Sequence, residues 1–120
     1  MDQRAREGIV ITDEALEKAL DWLRDNATKA AQARAEREYM GEWIGACRAK
    51  IAAALIEAGE SAAAADLKAK AHPDYRTALQ GYRHAVEADE LMRWHRTRAD
   101  ALIEVWRSQQ ANARAMERVR

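Results

Sequence analysis

Apolar residues recur along this chain at steps of four and three over two long stretches. In the last third the series is Ala78, Tyr82, Ala85, Ala88, Met92, His95, Ala99, Leu102, Trp106, Gln109, Ala113 and Met116. After Ala88 the steps alternate strictly, a heptad spacing sustained for about four heptads. Leu16, Leu20, Leu23, Ala27 and Ala30 repeat the pattern near the start. Each stretch therefore predicts a helix that buries one stripe. Thr12 offers a hydroxyl cap to a helix opening Asp13-Glu14, whose carboxylates favour the positive end of the helix dipole. Ile11 and Leu16 have the spacing of a hydrophobic staple. Met1–Gly8 is polar and expected to fray, and Ile9-Val10-Ile11 prefers extended backbone. No proline interrupts the chain before Pro73, so the first helix is predicted over 13–58, stopping at Gly59. Ser61 caps a short helix over 61–71 that holds four consecutive alanines, His72-Pro73-Asp74 breaks it, and a last helix follows over 74–117. The expected fold is all-α: one domain over 1–120, built as a long antiparallel helical hairpin of coiled-coil character with a short connecting helix.

Two features sharpen that expectation. Gly41, Gly45, Ala49 and Ala53 form a ladder of the smallest side chains at intervals of four. A glycine inside a helix costs roughly 0.5–1 kcal/mol relative to alanine, so the pair predicts close helix packing or a ring filling the notch. A hairpin turning near residue 66 sets Gly45 opposite Ala85–Ala88, flanked by Tyr82 and Met92. With Gly41, Ala49, Leu102 and Trp106, these are the expected packing and oligomer positions. Leu79, Val86, Leu91, Trp94, Ile103 and Val105 give the last helix a second apolar face. Two helices cannot bury four tryptophans between them, so a homo-oligomer is expected.

Composition agrees with helix: alanine occurs 28 times in 120 residues, proline once, glycine five times and phenylalanine never. The formal net charge is zero, so no global field steers the protein to nucleic acid or an anionic membrane. From Leu91 onward, however, seven arginines (Arg93, Arg96, Arg98, Arg107, Arg114, Arg118, Arg120) face only Asp100, Glu104 and Glu117, a segment of +4. One cysteine excludes an intrachain disulfide and suits a reducing compartment. With no membrane-spanning apolar run and no signal peptide at the start, a cytoplasmic protein is expected, in the host cell cytoplasm if phage-encoded.

Little points to catalysis. His84 and His95 share a face but lie about 16 Å apart along the axis, too far for one metal ion, and His72 sits in a loop. Cys47 reads as a small buried apolar residue. Glu36, Glu38 and Glu42, and likewise Glu87, Asp89 and Glu90, alternate with Arg and Lys as solvated salt-bridge faces. No phosphate-binding loop, nucleophile elbow, CxxC or HExxH occurs, so neither an enzyme nor a cofactor is expected. Arg107, Arg114 and Arg118 share one strip. Arg93, Arg96 and Arg107 with Trp94 and Trp106 permit phosphate contacts and base stacking if they converge. Arg24, Lys29, Arg34, Arg37, Arg48 and Lys50 add a mixed strip on the first helix.

The pieces "LRDNATKAAQARAEREYM", "HPDYRTALQGYRHAVEADELMRW" and "IEVWRSQQANARAMERVR" resemble small helical proteins of tailed phages and prophages, which sit among replication and recombination genes. Their texture is similar to the UvsY-type recombination mediators, oligomeric helical hairpins that bind single-stranded DNA. No diagnostic motif matches residue by residue, so no functional residue is carried over, and the neutral net charge departs from a dedicated DNA binder. The resemblance implies a phage accessory protein of recombination or replication, with single-stranded DNA or a recombination or replication protein as partner. The alternative is a helical adaptor, chaperone or inhibitor of a host protein, without nucleic-acid contact.

Overall fold

The computed structural model describes residues 10–119. The expectations for Met1–Ile9 and for Arg120 lie outside these residues. The described residues are all-α, with three helices among them: α1 Asp13–Glu57, α2 Ala62–Ala71 and α3 Pro73–Val119. None of the described helices is long and apolar enough to cross a membrane.

Local chemistry sets each boundary. Thr12 caps α1, its hydroxyl accepting from the Ala15 N–H at 3.1 Å. Gly59 ends that helix with φ 107°. The Gly59 N–H donates to the Ile56 carbonyl and the Glu60 N–H to the Leu55 carbonyl, both at 3.0 Å, the paired bonds of a Schellman stop that needs a left-handed residue. Ser61 caps α2 by accepting from the Ala64 N–H at 3.2 Å. Pro73 is the first residue of α3, where its missing N–H is no loss. His72 ahead of it acts as the cap, its Nδ1 accepting from the Asp74 N–H at 3.0 Å. The expected break is therefore also a start signal.

The described chain divides into two compact units. One unites α1 as far as Thr28 with α3 from Arg93 onward. Ala19 and Ala99 are its buried residues, flanked by half-buried Ala15, Trp22, Asn26, Leu102 and Trp106. The Trp106 indole N–H donates to Asp13 Oδ1 at 3.1 Å, and Gln109 Oε1 accepts from the Ile11 N–H at 3.0 Å. The seam here differs from the expected stripe. Leu16 and Leu23 are half-buried, as is Ala30 in the other unit, but Leu20 and Ala27 are exposed. Past Gln109 every described residue of α3 is exposed, Ala113 and Met116 included.

The other unit spans Lys29–Met92 and holds α2. Cys47, Ala65, Ala69, Ala78, Ala85 and Asp89 are buried in it. Tyr82 and Met92 are half-buried, as expected, but Ala88 is exposed and Asp89 takes its place in the seam. The reading of Asp89 as part of a solvated face is thus corrected. Its carboxylate receives Arg37 Nη1 at 3.1 Å, while the same nitrogen reaches Glu90 Oε1 at 2.7 Å. Glu90, and after it Asp89, raise the Arg37 pKa above its already high range. This contribution is present below that range and lost only as pH rises through it, so the guanidinium stays charged at all ordinary pH.

The small-residue ladder is only partly a packing feature. A Cβ at Gly41 would meet the Tyr82 ring at 3.4 Å, whereas one at Gly45 meets nothing within 4 Å. Ala49 and Ala53 are exposed. Close packing at Gly45 against Ala85–Ala88 is therefore corrected. A row spaced by four turns by about 40° per step relative to the axis, so it leaves a seam of mixed threes and fours after one contact. The notch the sequence did not signal is Gly81, where a Cβ would lie 2.6 Å from the Met40 methyl. Gly45→Ala is expected to stabilise the protein by about 0.5–1 kcal/mol, read as a higher urea midpoint. A lower midpoint would show that Gly45 is covered in solution.

Candidate nucleic-acid interface

Successive residues of an α-helix project about 100° apart, which decides what the C-terminal arginines can form together. Arg93, Arg96, Arg107, Arg114 and Arg118 fall within a sector of about 60° on α3, and all five are exposed. They form one basic edge. Asp100 and Glu104 interrupt it between Arg96 and Arg107, and Glu104 accepts from Arg107 Nη1 at 3.1 Å.

The expected aromatic partners do not join this edge. Trp94, 72% exposed, is one residue from Arg93 and so projects about 100° away from it. Trp106 is half-buried and tied to Asp13. The arginines of the α1 strip are likewise paired with acids. Arg24 meets Asp21 and Asp25, and the hydrogen bond it donates to Asp25 is the chief cause that raises its pKa. Arg34 meets Glu38, Arg37 meets Asp89 and Glu90, and Arg48 lies 3.6 Å from Asp66 on α2.

The aromatic and cationic groups that do converge are ones the sequence reading passed over. Ala15, Ala19 and Trp22 on α1 face His95, Arg98, Ala99 and Leu102 on α3, with Lys18 at the rim, around a cleft of about 270 Å³. The rings of Trp22 and His95 have centroids 5.5 Å apart and are tilted by 42°. Lys18 makes one exposed ion pair with Glu14 at 3.4 Å. Arg98 has no ion pair with any described residue. It projects from the side of α3 opposite the basic edge, on the same flank as Trp94 one turn earlier. A seam set one residue earlier on α1, through Ala15, Ala19, Trp22 and Asn26, was the signal available.

A second concavity lies within the Lys29–Met92 unit. Met40, Trp43, Cys47, Ile51, Leu55, Ala78 and Gly81 line a groove of about 710 Å³ whose polar rim includes Lys50, His72 and Asp74. Cys47 is buried, as its sequence context predicted, while Trp43 remains 42% exposed. Compared with known proteins, the chain matches no family model, no curated protein and no solved structure.

Proposed function

We propose that this is a non-enzymatic, self-associating accessory protein that contacts single-stranded DNA through the basic edge of α3. The phage recombination or replication setting implied by the resemblance is proposed with it. The carrying observation is the confinement of Arg93, Arg96, Arg107, Arg114 and Arg118 to one exposed sector. An extended phosphate backbone can follow such an edge, and each neutralised phosphate releases counterions. Self-association is supported by the poverty of the core. Among the described residues no side chain larger than aspartate is buried, and none of the four tryptophans is. Repetition of the edge around an assembly would strengthen a contact that is weak in one copy.

The test is a fluorescence-anisotropy titration with labelled single-stranded oligonucleotide at low salt, with mass measured by light scattering. Binding is expected to weaken as salt rises. The triple variant Arg107→Gln, Arg114→Gln, Arg118→Gln should lower the log–log salt slope by about 2, at about 0.7 per lost phosphate contact. No binding at about 100 μM protein, the weak end of non-specific affinities, or a triple variant equal to the parent, sinks the DNA reading. A monomer at every concentration sinks the self-association.

The groove beside Trp43 favours a second reading, a helical adaptor for a protein partner. Association that ignores salt and is lost in Trp43→Ala or Trp94→Ala would select it.

A further inference from the structure

We infer that the cleft beside the Trp22–His95 ring pair holds one nucleobase of a bound single strand, stacked on the open face of His95, with the adjoining phosphate between Lys18 and Arg98. The inference rests on the nucleic-acid reading above but places the base site away from the basic edge.

The floor of the cleft is small and the walls are flat. Ala19 and Ala99 are buried at its base, so there is room where larger side chains would close the gap. Trp22 and His95 form the wall, and their 42° tilt keeps the rings from closing on each other as a parallel stack. His95 is exposed, so one face of its ring can take a further ring. A space of about 270 Å³ is near the lower bound of ligand pockets, roughly 300 Å³, which suits one planar heterocycle and not a helix from a partner protein.

The rim supplies the charge that a base brings with it. Lys18 comes from α1 and Arg98 from α3, so the two cations approach from both walls. Arg98 has no ion pair among the described residues, and Lys18 has only the exposed contact with Glu14, which a phosphate can displace. Neutral aromatic side chains of a protein would leave both cations unused. Trp94, exposed and four residues before Arg98 on the same flank, gives the neighbouring base a second platform. Stacking on aromatic side chains is tolerant of base identity, so little sequence preference is expected.

The test uses the full chain and an end-labelled strand of about 12 nucleotides, within the site sizes known for stacking proteins. His95→Ala and Arg98→Gln, both at exposed positions, should keep parental helicity by circular dichroism. His95→Ala should weaken binding about fivefold or more, the low end for loss of one stacked base. Arg98→Gln should weaken it and reduce the salt dependence by one phosphate contact. Glu14→Gln should tighten binding about twofold, the scale of an exposed charge pair. A strand with abasic sites should bind the parent more weakly than a normal strand, and a free nucleoside monophosphate more weakly still.

The cleft is overturned if the parent binds abasic and normal strands equally. It is also overturned if His95→Ala and Arg98→Gln match the parent while the triple arginine variant is impaired; the basic-edge reading then survives. A nucleoside monophosphate bound as tightly as the strand overturns the strand as occupant. No binding of either strand by the parent overturns both proposals.

Discussion

Ala69→Glu is expected to destabilise the protein by about 3–5 kcal/mol, the cost of an uncompensated buried charge, whereas Leu67→Glu changes stability by about 0.5 kcal/mol or less. Hydrophobicity alone gives the opposite ranking. On α2, however, Ala65 and Ala69 are completely buried and Leu67 is 70% exposed. Four residues apart, the two alanines form the face by which α2 seats in its unit. Ala65→Leu tests the steric side separately, with a loss of about 1–3 kcal/mol from overpacking. Urea denaturation followed by circular dichroism reads all three. A Leu67→Glu variant as damaged as Ala69→Glu would mean that the outer face of α2 is covered in solution.

Asp89→Ala is expected to cost about 1.5–3 kcal/mol, the range for a hydrogen bond to a charged group, with Glu90 still holding Arg37. Asp89 is 2% exposed and takes the Arg37 guanidinium across the seam between α1 and α3. The double variant Arg37→Met, Asp89→Leu should recover part of the loss, because it removes the buried carboxylate, its cation and their desolvation together, while half-exposed Glu90 turns to solvent. Recovery of stability without recovery of cooperativity would assign the pair a role in fixing register. A double variant as unstable as Asp89→Ala would sink this account of the site.

Element types and ends were legible because their signals are local. Thr12 and Ser61 cap where their hydroxyls predict, and Gly59 stops α1 where a left-handed residue is required. The predicted limits 13–58, 61–71 and 74–117 differ from the observed helices by one or two residues at each differing end. Which residues face inward was less legible. From Ala85 to Met92 the seam can step through Ala88 or through Asp89 with equal regularity, and hydrophobicity favours alanine. The structure uses Asp89 because a cation on the opposing helix meets it. On α1, leucines mark Leu16, Leu20 and Leu23, yet the helices pack through Ala15 and Ala19, one residue earlier.

The candidate site shows the same limit. Counting arginines located the basic edge, and their spacing placed Arg107, Arg114 and Arg118 on one strip. Composition could not say that Trp94 belongs to the flank of Arg98 and His95. That assignment needs angular position on α3, and the role of Trp22 needs the register between α1 and α3. The first follows from local spacing once the helix is known; the second does not.

The buried side chains of the described residues, six alanines with Cys47 and Asp89, also bear on how the protein responds to temperature. The heat capacity of unfolding grows with newly hydrated apolar area and shrinks with newly hydrated polar area. Methyl groups over helical backbone release little of the first and much of the second. The heat-capacity increment per residue is therefore expected to fall toward the low end of the usual range of about 12–15 cal/mol/K, a scanning-calorimetry observable. The stability curve of such a chain is a low, broad dome: its free energy of unfolding varies little on cooling, and its cold limb lies far from physiological temperature.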